Sequence, residues 1–349
     1  MKTLVTGGAG FIGSHVTDQL VALGHDVVVI DNLFVGRREY VNPKAHFECI
    51  DMATVPNKEW IGLLQAIKPD YVVHLAALLH IPYCMAHPEQ TFATNVRGTE
   101  LLVRSLEGLS VLKLVAASTA DVYAIEDVIH SETEVSASRN VYGLSKSLTE
   151  SLIAYAARTI PGLSAASLRF FNVYGPRDTN PHLVPRVVEL LGNHLVPELR
   201  MGYLDGTRDF VHVSDVVRAV IAVLLADTGE YDVFNVGTGR QTSSREVIRI
   251  LQEAFGDTRA VIEDRTKFRK FDRQSLAADI TKIRGKVGWT PQIPVEQGLR
   301  SLAGTTDCGR DHFGVIPVAV GAANRIVAAS YTRSRANPYV SAPTTTIRP

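Results

Sequence analysis

Cysteine is scarce in this sequence: Cys49, Cys84 and Cys308 are the only three in 349 residues, odd in number and widely scattered. No C-x-x-C pair occurs, which removes the usual signature of a structural zinc or a dithiol centre and favours a reducing compartment, the cytoplasm. Net charge is lacking too. Lys plus Arg and Asp plus Glu balance at 36 each. Without a basic run there is little electrostatic basis for a nucleic-acid partner or an anionic membrane surface. Long apolar runs are also missing. The best stretch, "VIPVAVGAANRIVAAS", is broken by Asn324 and Arg325 and falls short of the ~20 apolar residues of a transmembrane span. The opening "MKTLV" runs straight into glycines, so no secretory leader is expected.

What is present is core-forming material. At 46% hydrophobic and 21% charged, the chain can bury a large interior in two closely joined lobes. "TLVTG", "DVVVID", "YVVHLAA" and "VLKLVAAS" are β-branched runs separated by amphipathic helical patterns, the βαβ rhythm of a parallel sheet covered on both faces. "AASLRFFNVYG", "DFVHV" and "DVFNVG" add further strands, whereas Pro181 to Leu204 and Thr242 to Leu302 mix helix and loop patterns. The expected fold is α/β: a doubly wound, Rossmann-type parallel sheet with a smaller interleaved α/β substrate lobe. Residues 1–172 and 206–240 would form the dinucleotide-binding domain, and 173–205 and 241–303 the second lobe. From about Gly304 the pattern decays into turn formers, so 304–349 reads as a poorly ordered tail.

"LVTGGAGFIGSHVTDQLVALGHDVVVIDN" sets Gly7, Gly10 and Gly13 between a strand and a helix and ends the next strand on Asp31. Glycine permits the sharp turn and lets backbone N–H groups approach a pyrophosphate, which the helix N-terminus stabilises through its dipole. The acid at the second strand's end accepts hydrogen bonds from a ribose diol and repels a 2′-phosphate, favouring NAD over NADP, with Arg37 and Arg38 tempering that preference. Glycines serving tight helix–sheet packing alone would not explain why strand, loop, helix and acid follow in this order.

The spacing is G-x-x-G-x-x-G, and with "TGGAGFIG" and "DNL" the sequence resembles the extended short-chain dehydrogenase/reductase family, specifically its NAD-dependent nucleotide-sugar epimerases and dehydratases. The resemblance implies that Gly7, Gly10, Phe11, Ile12, Gly13, Asp31 and Asn32 hold the dinucleotide. It further implies that Asp51 and Met52 contact adenine and that Leu75, Ala76 and Ala77 line its path. Asn95 of "TNVRGT" matches another cofactor position, with the satisfaction of a helix end as its plainer role.

"VYGLSKSLTESLIAYA" puts Tyr142 and Lys146 four apart at helical spacing, so both project from one face. An ammonium beside a phenol stabilises the phenolate and makes Tyr142 a usable base. Tyrosine and lysine at this spacing are common on solvated helix faces; their position downstream of a complete dinucleotide loop makes the chemical reading the better one. In the family pattern, Lys146 also contacts the nicotinamide ribose, and Thr119 of "LVAASTADVYA" joins Tyr142 at the substrate oxygen while Ser118 supports the cofactor side. Ala124 stands where the family usually has glycine. "SLRFFNVYGPR" matches a further signature: Phe170 near the nicotinamide and Asn172 at the substrate phosphates. Arg208 of "DGTRDFVHV" and Arg269, three before Asp272, supply two guanidiniums for a diphosphate. His182 and Leu183 occupy a substrate position that often carries Asn–Leu, and Leu79, His80 and Cys84 are expected near the hexose.

By the resemblance, Tyr142 removes the proton of the sugar 4-hydroxyl as hydride leaves C4 for NAD, giving a 4-keto intermediate. Family dehydratases carry an acid and a glutamate directly after the threonine; here stand Ala120 and Asp121. The expected function is therefore epimerisation of a nucleoside-diphosphate sugar at C4, without metal and by a homodimer. A dehydratase or decarboxylase using Asp121 is the alternative. A non-catalytic dinucleotide sensor would not need Thr119, Tyr142 and Lys146 together.

Overall fold

The structure, a computed structural model, describes residues 1–268 and 274–304. Seven strands form its central sheet: β1 (Lys2–Thr6), β2 (Asp26–Asp31), β3 (His46–Cys49), β4 (Tyr71–His74), β5 (Lys113–Thr119), β6 (Ser164–Phe170) and β7 (Tyr231–Val236). Their spatial order is β7-β6-β5-β4-β1-β2-β3 and every neighbouring pair is parallel. The order reverses between β1 and β4. At such a switch point the loops leaving the two strands diverge and open a crevice above their carboxyl ends.

The alternation of side chains along each strand divides the interior in two. Val5, Val29, Val73, Val115 and Leu168 pack with the Phe11–Ala22 and Val213–Leu225 helices on one face. Leu4, Val28, Val72, Leu114 and Ala165 pack with the helices Asn57–Ile67, Gly98–Ser105 and Val141–Thr159 on the other. This double burial explains why most of the strands read as apolar runs and not as an alternation of apolar and polar residues.

The run "AASLRFFNVYG" breaks at Phe171. Up to Phe170 it pairs in the main sheet, while Asn172–Tyr174 pairs in parallel with Phe210–His212 as a separate two-stranded sheet. The chain thereby crosses into a third apolar cluster. Val187, Leu191, Leu199, Phe210, Ile248 and Leu299 belong to it, brought together by the helices Leu183–Gly192, Ser244–Phe255 and Val295–Ser301. Val261–Glu263 pairs in parallel with Leu199–Met201, and Thr207–Arg208 pairs antiparallel with Thr242–Ser243. These elements form a smaller lobe over the carboxyl ends of the main strands. The expected tail and Arg269 with Asp272 fall outside the described residues.

Candidate active site

Between sheet and smaller lobe lies a cavity of about 670 Å³. The first turns of two helices line it, Phe11–Ala22 from the sheet and Leu183–Gly192 from the lobe, and neither N-terminus carries a side-chain cap.

At the first, Gly7 has φ +73 and its N–H donates to the Ile30 carbonyl at 2.8 Å. A Cβ on Gly7 would stand 2.6 Å from the Ala76 nitrogen, and one on Gly13 would stand 2.0 Å from the Gly7 oxygen. These two glycines are sterically required. Asp31 holds this loop from the side: its Oδ2 accepts from the Ala9 N–H at 3.0 Å and its Oδ1 from the Leu33 N–H at 2.8 Å. Burial pushes its carboxyl above the usual range, and those backbone donors oppose the shift. The Asn32 N–H is a third backbone donor to this carboxylate, which leaves about one of its four lone-pair sites for a ribose hydroxyl. Arg37 and Arg38 lie elsewhere, over the Tyr40 and Phe47 rings at 5.6 and 4.6 Å, and neither is on the cavity wall. The loop thus suits an adenosine ribose with free hydroxyls. Phe11, Ile12, Asn32, Asp51, Met52, Leu75, Ala76, Ala77 and Phe170 complete this wall.

Asn95 does not line the cavity, contrary to the expected cofactor contact. It sits in a π-helical turn, Ala93–Arg97, where its Nδ2 donates to the Leu78 carbonyl at 2.9 Å and Ser145 Oγ at 2.9 Å, and its Oδ1 accepts from the Leu78 N–H at 2.8 Å. Both of its N–H donors and one acceptor site are taken by protein. What it does is tie the loop after β4 to the helix carrying Tyr142 and Lys146. Cys84 is likewise buried off the wall, whereas Leu79 and His80 are on it.

Thr119, at the end of β5, and Tyr142, in the first turn of the Val141–Thr159 helix, hydrogen-bond side chain to side chain. The helix start is fixed by Asn140, whose Oδ1 caps the Gly143 N–H at 2.8 Å and whose Nδ2 reaches Asp121 Oδ1 at 3.4 Å. Thr119 Oγ1 also accepts from the Asp121 N–H at 3.2 Å. Burial first, then the nearby Asp121 and Cys84, pushes the Tyr142 phenol above its ordinary range, and the Thr119 bond opposes them. Lys146 is 2% exposed; burial lowers its ammonium to about 8, with Glu150 holding it up. Ala120 is buried and offers no proton, while Asp121 faces the cavity. Ser118, also on the wall, donates its hydroxyl to Glu150 at 2.5 Å.

The lobe side of the cavity carries Asn172, His182, Leu183 and Arg208, all expected, and Asn180, Arg186, Arg200 and Lys267, which were not. Asn180 stands in a loop with no periodic pattern to single it out. The cations read as ordinary surface residues in sequence. Arg186 pairs with Glu189 at 2.7 Å, and Lys267 Nζ donates to the Arg200 carbonyl at 2.7 Å. Pro185 and Arg186 reach the wall because they lie in the first turn of the lobe helix.

Comparison with known proteins agrees with this geometry. The family model described as "NAD dependent epimerase/dehydratase family" matches residues 3–237. A UDP-glucose 4-epimerase from Lactobacillus helveticus is 34% identical over 84% of this chain and 92% of its own. A UDP-N-acetyl-alpha-D-glucosaminuronate decarboxylase from Bacillus cytotoxicus is 30% identical over 86% and 95%. The crystal structure of a UDP-glucose 4-epimerase with UDP-glucose from Thermotoga maritima superposes with a TM-score of 0.79 at 33% identity, covering 87% of this chain and 98% of that one. The chain belongs to the NAD dependent epimerase/dehydratase family.

Proposed function

We propose that this protein is an NAD-dependent nucleotide-sugar 4-epimerase acting on a UDP-sugar or a close analogue. The observation that carries the reading is the junction of Thr119, Tyr142 and Lys146 on one wall of the cavity, with buried Ala120 following the threonine. Gly7, Gly10, Phe11, Ile12, Gly13, Asp31, Asn32, Asp51, Met52, Leu75, Ala76, Ala77, Ser118 and Phe170 would hold NAD, which when bound supplies the acceptor and donor of hydride. Asn172, His182, Leu183, Arg208 and Arg269 would hold the nucleotide sugar.

The chain's own contribution is proton handling and orientation. The Lys146 ammonium stabilises a Tyr142 phenolate against burial, and the Thr119 hydroxyl orients it towards the sugar oxygen. Tyr142 takes the proton of the 4-hydroxyl when the ketone forms and returns it to the same oxygen when the ketone is reduced from its opposite face. Arg208 on the cavity wall, with Arg269 as the family resemblance implies, would anchor the diphosphate while the sugar turns. Asp121 on the wall, together with the similarity to a decarboxylase, supports elimination as the second reading.

Incubation with UDP-, GDP-, ADP- and dTDP-sugars tests the choice. Isomers of unchanged mass support epimerisation, a product lighter by water or carbon dioxide supports elimination, and neither product nor NAD reduction would leave a sensor. Homodimerisation through the catalytic helix is part of the proposal; Leu144, Leu148 and Tyr155 lie exposed along one stripe of it. The cytoplasm is the compartment the cysteine pattern favours, and no described helix is long and apolar enough to cross a membrane. The boundaries 1–172 with 206–240, and 173–205 with 241–303, remain the proposed division of the lobes.

A further inference from the structure

The catalytic helix carries a second buried ionisable group that the chemistry above leaves unused. Glu150 lies one turn beyond Lys146 on the same face, where side chains four apart are neighbours. It is 8% exposed. Its carboxylate is held by the two central strands: Arg169 of β6 donates Nε to Oε1 at 2.9 Å and Nη2 to Oε2 at 2.8 Å, and Ser118 of β5 donates to Oε1 at 2.5 Å. The Arg169 guanidinium in turn lies over the Tyr123 ring at 4.8 Å, and the Tyr123 phenol donates to Asn235 Oδ1 at 2.6 Å. The pair is therefore fixed in orientation, its negative end on the helix and its positive end over an aromatic ring.

Stability alone does not account for such a pair, since well-packed apolar residues of the same volume often do as well or better. Lys146 gives it a use. This ammonium is buried, so its charge must be supported from nearby. Tyr142 on the same helix cannot do so until it ionises. His74 of β4, whose ring nitrogens meet Thr6 at 2.7 Å and Thr99 at 2.9 Å, supplies no negative charge, and burial, then the Lys146 ammonium, holds its pKa down to about 3. Cys84, from the Ile81–Ala86 helix, faces the Tyr142 phenol, and burial pushes its thiol up. Asp121 also faces the phenol. Glu150 is the buried carboxylate one helical turn from Lys146; its oxygens are taken by Arg169 and Ser118, so it supports the ammonium through space and not by a direct ion pair.

We propose that Glu150, locked by Arg169 and Ser118, is a positioning residue that keeps Lys146 in its ammonium form and thereby sets the alkaline limit of turnover. The proposal rests on the reading of Tyr142 and Lys146 given above, and its test includes a measurement independent of turnover. In enzyme labelled with 13C-lysine, the Lys146 ε-CH2 signal, identified by its loss in Lys146→Met, is titrated by NMR in the wild type, Glu150→Gln, Glu150→Asp and the double variant Glu150→Gln/Arg169→Met.

The Lys146 midpoint is expected to fall by about one pH unit or more when the carboxylate is removed. Glu150→Asp should restore part of it, and the high-pH limb of the kcat profile should move by the same amount while KM changes little. Glu150→Gln leaves a buried guanidinium without a counter-charge; the double variant removes both charges and keeps the question open to measurement if the single one fails to fold. An unmoved Lys146 midpoint in folded variants, with activity lowered equally at all pH values, overturns the proposal and leaves a merely structural pair. If Lys146 shifts as expected but no nucleotide sugar is converted, the substrate reading fails while the assignment of Glu150 as the group that holds Lys146 charged stands.

Discussion

Gly143 packs so tightly on Asp121 that a Cβ would stand 2.2 Å from the Asp121 carbonyl oxygen and 2.1 Å from Ser138 Oγ. The helix bearing Tyr142 therefore docks directly on the turn that follows Thr119. Gly143→Ala should push the helix start away by a fraction of an ångström or more. Misplacement of about 1 Å at a reacting group costs ~10²-fold, so kcat should fall on that order while bound NAD, measured after denaturation, stays stoichiometric.

Tyr142→Phe keeps the ring and removes the proton acceptor. General-base removal typically costs ~10²–10⁴-fold. Turnover should fall within that range while calorimetry finds nucleotide-sugar binding close to wild type. Thr119→Ala should cost less, because it removes an orienting hydrogen bond and leaves the base.

Asp31 both braces the glycine loop and faces the proposed ribose diol. Hydrogen bonds to a charged group are worth about 1.5–3 kcal/mol, so Asp31→Asn should weaken NAD binding about tenfold or more and narrow its advantage over NADP. Fluorescence titration with both dinucleotides checks the ratio.

Three buried histidines predict acid sensitivity. Burial, the largest cause at each, holds His15 and His212 at about 4 and His74 at about 3, below their ordinary 6.5. Between those values and 6.5 the unfolded chain binds protons that the folded one excludes. Stability is thus present above pH 6.5 and lost as pH falls, by about 1.4 kcal/mol per pH unit for each histidine. Denaturant unfolding at pH 7 and pH 5 should show this loss. His74→Gln should make the slope shallower by one histidine's share.

Much of this was legible in the sequence for physical reasons. Strands buried on both faces declare themselves as short apolar runs, β-branched in β1, β2 and β4 and mixed aliphatic or aromatic in β5, β6 and β7, so all six were readable. "HFEC" was not: β3 is a short edge strand with two exposed residues and no such run. The steric demands on Gly7 and Gly13 left their spacing in the chain. Asn95 stood in the right motif, but its target, the Leu78 loop and Ser145, is set by tertiary contact that spacing does not encode. Glu150 carried the helical offset from Lys146, yet its partner Arg169 lies on a strand, and only the packing of helix on sheet joins them.

The fate of hydrogen at C4 tests the central claim most directly. A UDP-hexose deuterated at C4 is incubated with the enzyme and the product followed by NMR and mass spectrometry. The account predicts an inverted C4 centre that retains the deuterium, since hydride leaves and returns within one closed site while Tyr142 handles only the oxygen-bound proton. Deuterium lost to solvent, or a product lighter by water or carbon dioxide, would contradict it.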